Sequence, residues 1–333
     1  MPVWQAVRPW GRSLSVHQGK GLDPVSARLG ACMEAIECAD AEAWKSPTTV
    51  AALADLPASE TAPAADDFAT RRGALTAETR LDWAPAERLD GGGTLWVPAA
   101  AVSLDLAAPG LPAINRSSNG QGAGFDVEHA TLKGLCEMIE RDAFAAWGAQ
   151  SLFARAEDAI DLDGIDFPWL IALRTRLGQL GIGLRAFALP GVVAMPVIAA
   201  ELFDPSSEAI GFAHSAGTCA HPCPEAALRG AVTEAIQARL TVIAGARDDL
   251  NPLPPEAPQP VFGFAITLPG ARPQRCLPPA LSPTVAAGVA ALAAAGYPQA
   301  ARVVLSPPQS PVVTVKVLVP GLGESARCRR PPA

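Results

Sequence analysis

The chain has 333 residues, 49% of them apolar, and a net charge of −7 at pH 7. This composition supports a sizeable core and argues against a wholly disordered chain. It also argues against a nucleic-acid partner, because neutralising phosphates needs clustered Lys and Arg and none appears.

The opening, MPVWQAVRPWGRSLSV, has no continuous apolar run of the signal-peptide kind. A glycine-rich segment, Gln18 to Gly21, leads into the first helical pattern, Asp23 to Glu37, with Pro24 tolerated in its first turn. Residues 46–92, rich in Ala, Pro, Thr and Asp, read as an insertion or lid. A strand-like run follows at Thr94–Val97. A second glycine-rich turn, Ser118 to Gly124, feeds a helix from Asp126 to Glu140. Another helical pattern spans Asp163–Leu180, followed by strand runs from Gly183 and from Val192. The third helix of interest runs from Cys223 to Gln237. A helix at Thr284–Gly296 is too short to cross a hydrocarbon core of ~30 Å at ~1.5 Å per residue, so no membrane segment is expected. Strands close the chain at Arg302–Ser306 and Val312–Val319. In the last, Val313, Val315, Val317 and Val319 alternate with Thr314, Lys316 and Leu318, a half-buried pattern. The order predicts a single α/β (mixed α+β) domain over 1–333 with mixed sheets. Seven cysteines, at 32, 38, 136, 219, 223, 276 and 328, form an odd set. Three of them sit inside helical patterns, so reduced thiols and a cytoplasmic location are expected.

The three helices from Asp23, Asp126 and Cys223 superimpose without a gap. Alanine falls at 27, 130 and 227, and Glu at 34, 137 and 234. An acid or amide follows at Glu37, Glu140 and Gln237. Positions i and i+3 share a helix face, so each pair points one way. A single pair would be an ordinary solvated surface pair, but three in register point to a shared cation, with oxygen ligands suited to Mg²⁺. Gly21 to Glu34 and Gly124 to Glu137 are both thirteen positions. Glycine-rich turns at helix N-termini suit phosphate, although neither segment is a Walker loop or a dinucleotide fingerprint.

The segment Ser118-NGQGAGFDVEHATLKGLCEMIERDAFAAW resembles the signature of the YcaO family, in which an S-N-G turn precedes a helix carrying E-x-x-E-R. Asp23–Glu42 resembles that family's first acidic helix, Glu225–Asp249 its E-x-x-Q-x-R helix and following G-x-R-[ED]-D, and Pro311–Leu322 its closing strand. The opening VRPWGRSLSVHQGKG is most similar to the subgroup encoded beside TfuA-like partners. The resemblance implies a fold with three acidic helices around a nucleotide site, and ATP and Mg²⁺ as cofactors. It further implies phosphorylation of a peptide backbone amide oxygen, after which a nucleophile attacks the amide carbon. Sulfide then gives a thioamide; a Cys or Ser side chain gives an azoline. By matching position, Glu34, Glu37 and Glu140 would hold the metal. Glu137, Arg141 and Arg239 would contact the nucleotide, with Ser118, Asn119 and Gln237 beside it. Arg247 reads instead as a surface salt bridge.

The chain departs from the family pattern at Gly30, where Ser is usual, and at Phe125 and Asp126, where G-N-T is usual. His129 stands where the family has a further metal-binding Glu, with Glu128 as the neighbouring substitute. A preceding segment supplying nucleotide contacts is expected upstream or from another chain. The short Arg330-PPA ending favours thioamide over azoline formation. A ribosomally made precursor peptide and a TfuA-like protein are the implied partners, and family members are often dimeric. Two rival readings are a degenerate scaffold that binds peptide or partner, and an accessory factor for methylthiolation of a ribosomal protein. His214, Cys219, His221 and Cys223 form H-x4-C-x-H-x-C, whose one-residue spacing is unlike a zinc knuckle. Four histidines give no Ser-His-Asp order.

Overall fold

A computed structural model of the chain describes residues 1–56, 65–70, 73–108, 112–204, 214–245, 264, 273 and 275–322. An antiparallel ribbon of β1 (Val3–Val7) and β2 (Val16–Lys20) leads into α1 (Pro24–Ala43). Asp23 starts that helix by accepting the backbone N–H groups of Val25 and Ser26. Then come β3 (Thr49–Ala52), β4 (Arg80–Arg88), β5 (Thr94–Pro98), the one-turn α2 (Ala99–Val102) and β6 (Gln121–Gly124). Asp126 caps α3 (Val127–Gly148), which is followed by α4 (Leu152–Ala156) and α5 (Pro168–Gln179). The second half adds β7 (Gly183–Ala188), β8 (Val197–Phe203), β9 (His214–Ala220) and α6 (Pro224–Ala244). It closes with α7 (Val285–Ala294), β10 (Ala301–Val304) and β11 (Val313–Leu318).

The six-stranded sheet runs β3-β4-β10-β11-β6, with β5 also paired to β4; β7-β8-β9 form a second sheet. The expected α/β class is found. Its sheets are more uniform than the mixed sheets anticipated: every pairing between named strands is antiparallel, and the bridge between Ile160 and Arg275 is parallel.

Residues 46–92 correct the expectation of an insertion or lid. They supply β3 and the nine-residue β4 to the main sheet, and Trp83 is fully buried with its indole N–H donated to Ala51 O at 3.0 Å. The Ala and Pro content hid a strand that pairs with its neighbours β3 and β5 and with the distant β10. β11 also differs from its half-buried reading. Val315 and Val317 join the core beneath α3, while Thr314 and Lys316 are equally buried on the other face. Their polar atoms are satisfied there: Thr314 donates to Asp40 at 2.7 Å and Lys316 to Ser117 O at 2.6 Å. The strand expected from Val192 begins after Pro196, and the helix expected from Asp163 begins at Pro168. Arg247, Cys328, Arg330-PPA and the residues between Gly245 and Asp249 lie outside the described residues.

The repeat seen in the sequence is a repeat of strand and helix: β2–α1, β6–α3 and β9–α6. Strand glycines let each helix backbone come close. A Cβ on Gly19 would stand 2.0 Å from Ala27 O, and one on Gly122 would stand 2.2 Å from Ala130 O. Ala27, Ala130 and Ala227 are fully buried, so the recurrent alanine is a packing residue. No helix among the described residues is long and apolar enough to cross a membrane.

Candidate functional site

The three helices turn their acidic faces toward one another, and the units interlock in a closed ring. Lys133 of α3 reaches Glu37 of α1 at 2.5 Å. Glu140 of α3 accepts the Thr218 hydroxyl of β9 at 2.7 Å and the Ala220 N–H at 3.1 Å. Glu234 of α6 pairs with Lys20 of β2 at 2.7 Å. Each unit's carboxylate is thus met by the next unit. Thr241 on α6 also donates to the Gln18 side chain at 2.6 Å, tying α6 to β2.

Backbone donors at the strands hold two more carboxylates. Glu34 accepts the Gln18 N–H at 2.8 Å, and Glu137 accepts the Gly120 N–H at 3.1 Å. Burial is the main cause that raises the Glu34 pKa, with Glu37 adding to it against the Gln18 hydrogen bond. The Glu137 carboxyl is pushed up to about 7, chiefly by burial, with repulsion from Glu140 and Glu37 adding and Arg141 opposing. Glu140 is raised too, by burial and then by Glu234, against the pull of Arg141 and its two donors. These carboxylates carry more negative charge than their surroundings neutralise.

Glu34, Glu37, Glu137 and Glu140 lie close enough to influence one another's charge. Arg141 joins them, 3.4 Å from Glu137, and its Nε is buried without a hydrogen-bond partner. Gln237 follows Glu234 by three positions on the same face of α6. Its Oε1 is likewise buried and unpartnered. Ser118 is exposed at the turn before β6 and its carbonyl accepts the Gln121 N–H, while Asn119 lines a cavity with Met138 and Lys316. Arg239 lies about 200° around the helix from Gln237. It pairs with Asp204 at 3.4 Å, away from the acidic face. Glu128 and His129 are exposed on the first turn of α3, and His129 is roughly 12 Å along the axis from Glu137. His221 lies near both His129 and Arg229, and burial, then these cations, lowers its pKa.

Lys133, Lys20 and Thr218 were missed by reasoning from sequence. One signal pointed to Lys133: in the gapless overlay it occupies the position that is Gly30 and Gly230 in the other helices. Elsewhere, His214 is bound to Glu201 at 2.7 Å, and His221 accepts the Cys223 N–H at 2.9 Å. These two histidines are committed to separate partners.

Among the described residues, no group of three or more His, Cys, Asp or Glu side chains is gathered tightly enough to hold a metal ion by itself. The donor set nonetheless fits Mg²⁺ carried with a nucleotide. It is all oxygen, it is under-neutralised, and Mg²⁺ takes one or two carboxylates and completes its shell with phosphate oxygens and water. The unpartnered Arg141 Nε offers a donor for phosphate.

Known proteins share this architecture. Residues 18–323 match the family described as YcaO cyclodehydratase, ATP- and Mg²⁺-binding. An uncharacterized protein encoded in the tfuA 3′ region of Rhizobium leguminosarum bv. trifolii is 32% identical over 257 residues, which is 76% of this chain and 61% of that protein. An uncharacterized protein of Mycobacterium tuberculosis is 33% identical over 340 residues, 97% of this chain and 74% of its own length. YcaO from Methanopyrus kandleri, solved with AMPPCP and Mg²⁺, superimposes with a TM-score of 0.73 at 24% identity, covering 97% of this chain and 83% of that one. A heterocyclase solved with substrate and cofactor superimposes with a TM-score of 0.76 at 18% identity, over 97% of this chain and 49% of that one. At these identities the structures establish the fold. This chain, whose three acidic helices close into one ring, belongs to the YcaO family.

Proposed function

We propose that this chain uses Mg²⁺–ATP to activate a backbone amide of a ribosomally made peptide, and that the product is a thioamide rather than an azoline. The single observation that carries this reading is the ring of buried and half-buried carboxylates on α1, α3 and α6, with Arg141 Nε and Gln237 Oε1 left unpartnered beside it. Such a charge imbalance, held rigidly by packed helices, is suited to a cation and its phosphates. The nucleotide supplies the phosphoryl group that turns an amide oxygen into a leaving group.

The chain's own residues then position and neutralise. In this reading Glu34, Glu37 and Glu140 hold the metal, while Glu137, Arg141 and Gln237 bind and orient the nucleotide, with Ser118 and Asn119 at the turn before β6. Arg239, expected to contact the nucleotide, pairs with Asp204 on another side of α6 and is left out of the nucleotide set in this reading. Glu128 and His129 are left out of the metal set, because both are exposed on the first turn of α3, with His129 about two helical turns from Glu137. Thioamide chemistry and a TfuA-like partner are supported by the genomic setting that names the Rhizobium relative.

Co-expression of the chain with its genomic neighbours and a candidate precursor peptide, followed by mass spectrometry, tests the reading. Exchange of one oxygen for sulfur is expected. Loss of water would redirect the reaction to azoline formation, and an unmodified peptide together with no Mg²⁺–ATP binding would overturn the enzyme reading.

A further inference from the structure

Lys133 stands apart in the ring. The helix positions that superimpose on it are glycines, Gly30 and Gly230, both packed against a neighbouring strand: a Cβ on Gly30 would touch the Gly19 Cα at 3.4 Å, and one on Gly230 would overlap the Cys219 sulfur. In α3 alone this position carries a long cationic side chain, and it leaves its own unit to reach Glu37 on α1. Its ammonium also interacts with Glu137 and Glu34, so it faces carboxylates from two helices at once. Nearly half of the Lys133 side chain remains open to solvent, whereas Glu37 is buried. The lysine therefore has room to withdraw and the glutamate does not.

We propose that Lys133 is a built-in counter-ion that occupies the cation position of the acidic ring when no metal–nucleotide complex is bound, and that it competes with the divalent ion for Glu37. The inference rests on the reading of Glu37 as a metal ligand. Physically, an ammonium and a divalent ion are rival partners for one carboxylate, since a cation close to Glu37 repels a second one. The lysine keeps α1 and α3 together while the site lacks its ligand. It also makes metal binding depend on the nucleotide, whose phosphates supply the extra attraction needed to displace it. A surface lysine making an ordinary ion pair would have neither effect.

The test measures Mn²⁺ binding by electron paramagnetic resonance, with and without a non-hydrolysable ATP analogue, for the wild-type chain, Lys133→Met and Glu37→Gln. Without nucleotide, Lys133→Met is expected to bind Mn²⁺ about tenfold more tightly than wild type, because the competitor is gone. The same variant is expected to melt earlier at low ionic strength and to regain that loss when Mn²⁺ is added. With the analogue present, Glu37→Gln is expected to bind Mn²⁺ more weakly than wild type. If Glu37→Gln is weakened but Lys133→Met binds Mn²⁺ no better than wild type, the counter-ion proposal is overturned and Lys133 is an ordinary structural partner. If Glu37→Gln binds as wild type does, the metal reading itself fails, and the proposal with it. Circular dichroism of both variants confirms that each comparison is made between folded proteins.

Discussion

Two sets of enclosed glutamates in this molecule behave in opposite ways. Glu42, at the end of α1, is enclosed by the Arg8 guanidinium and by the N–H and hydroxyl of Ser13, at 2.8 and 2.5 Å. Burial opposes its charge, but these hydrogen bonds outweigh it and leave its pKa lowered. Glu201 is closed in the same manner by Arg185 at 2.6 Å and His214 at 2.7 Å. On the ring, by contrast, Glu140 is buried, Glu34 and Glu137 are half-buried, and the pKa values of all three rise, burial being the largest cause in each. Burial alone does not separate a structural acid from a binding acid. The balance of local charge does, because an unbalanced cluster is stable only if something else arrives to neutralise it.

Substitutions sharpen that contrast, and the largest effect is expected on the ring. Glu140→Gln should lower ATP turnover by about a hundredfold or more while the chain stays folded, as steady-state phosphate release and circular dichroism would show. Glu42→Gln should do the reverse. Removing one charge from a closed pair should cost about 2 kcal/mol of stability in urea titrations, with nucleotide affinity unchanged.

A smaller effect concerns pH. The Glu137 carboxyl is raised in the folded chain to about 7 from an ordinary 4.5. Between those values the folded state binds more protons than the unfolded one, so its contribution to stability is full below the unfolded value and is lost as pH rises toward 7. Allowing for a side chain that is one-quarter exposed, the loss is roughly 2 kcal/mol. Urea midpoints of the nucleotide-free protein should fall across that window, and Glu137→Gln should flatten the slope; an unchanged slope would mean that Glu137 is already neutralised. The smallest effect is expected from His129→Ala. Being exposed and beside His221, it should change Mg²⁺–ATP affinity less than about twofold, measured by titration calorimetry.

Much of the ring was legible because helices carry a local period. Alanine and glutamate recur in register over fifteen residues, and packing explains both: alanine where the strand glycine meets the helix, glutamate where the helices converge. What closes the ring was not legible. Lys20 and Glu234 are 214 positions apart, and Thr218 reaches Glu140 across 78, so no spacing rule brings them together. Lys133 drew no reading from the sequence; its register with two glycines gained meaning only from its place in space. Residues 46–92 misled for a related reason. β4 is a strand with Pro85 inside it, and the pairing with β3 and β5 that makes it one is invisible in its composition.

The ring's purpose can be measured directly by titrating Mg²⁺–ATP into the wild-type chain and into a Glu37→Gln, Glu140→Gln double variant in a calorimeter. The account predicts one binding site per chain in the wild type and its loss in the double variant, with both proteins equally folded. Equal binding by the two proteins would contradict it and move the nucleotide to another part of the molecule.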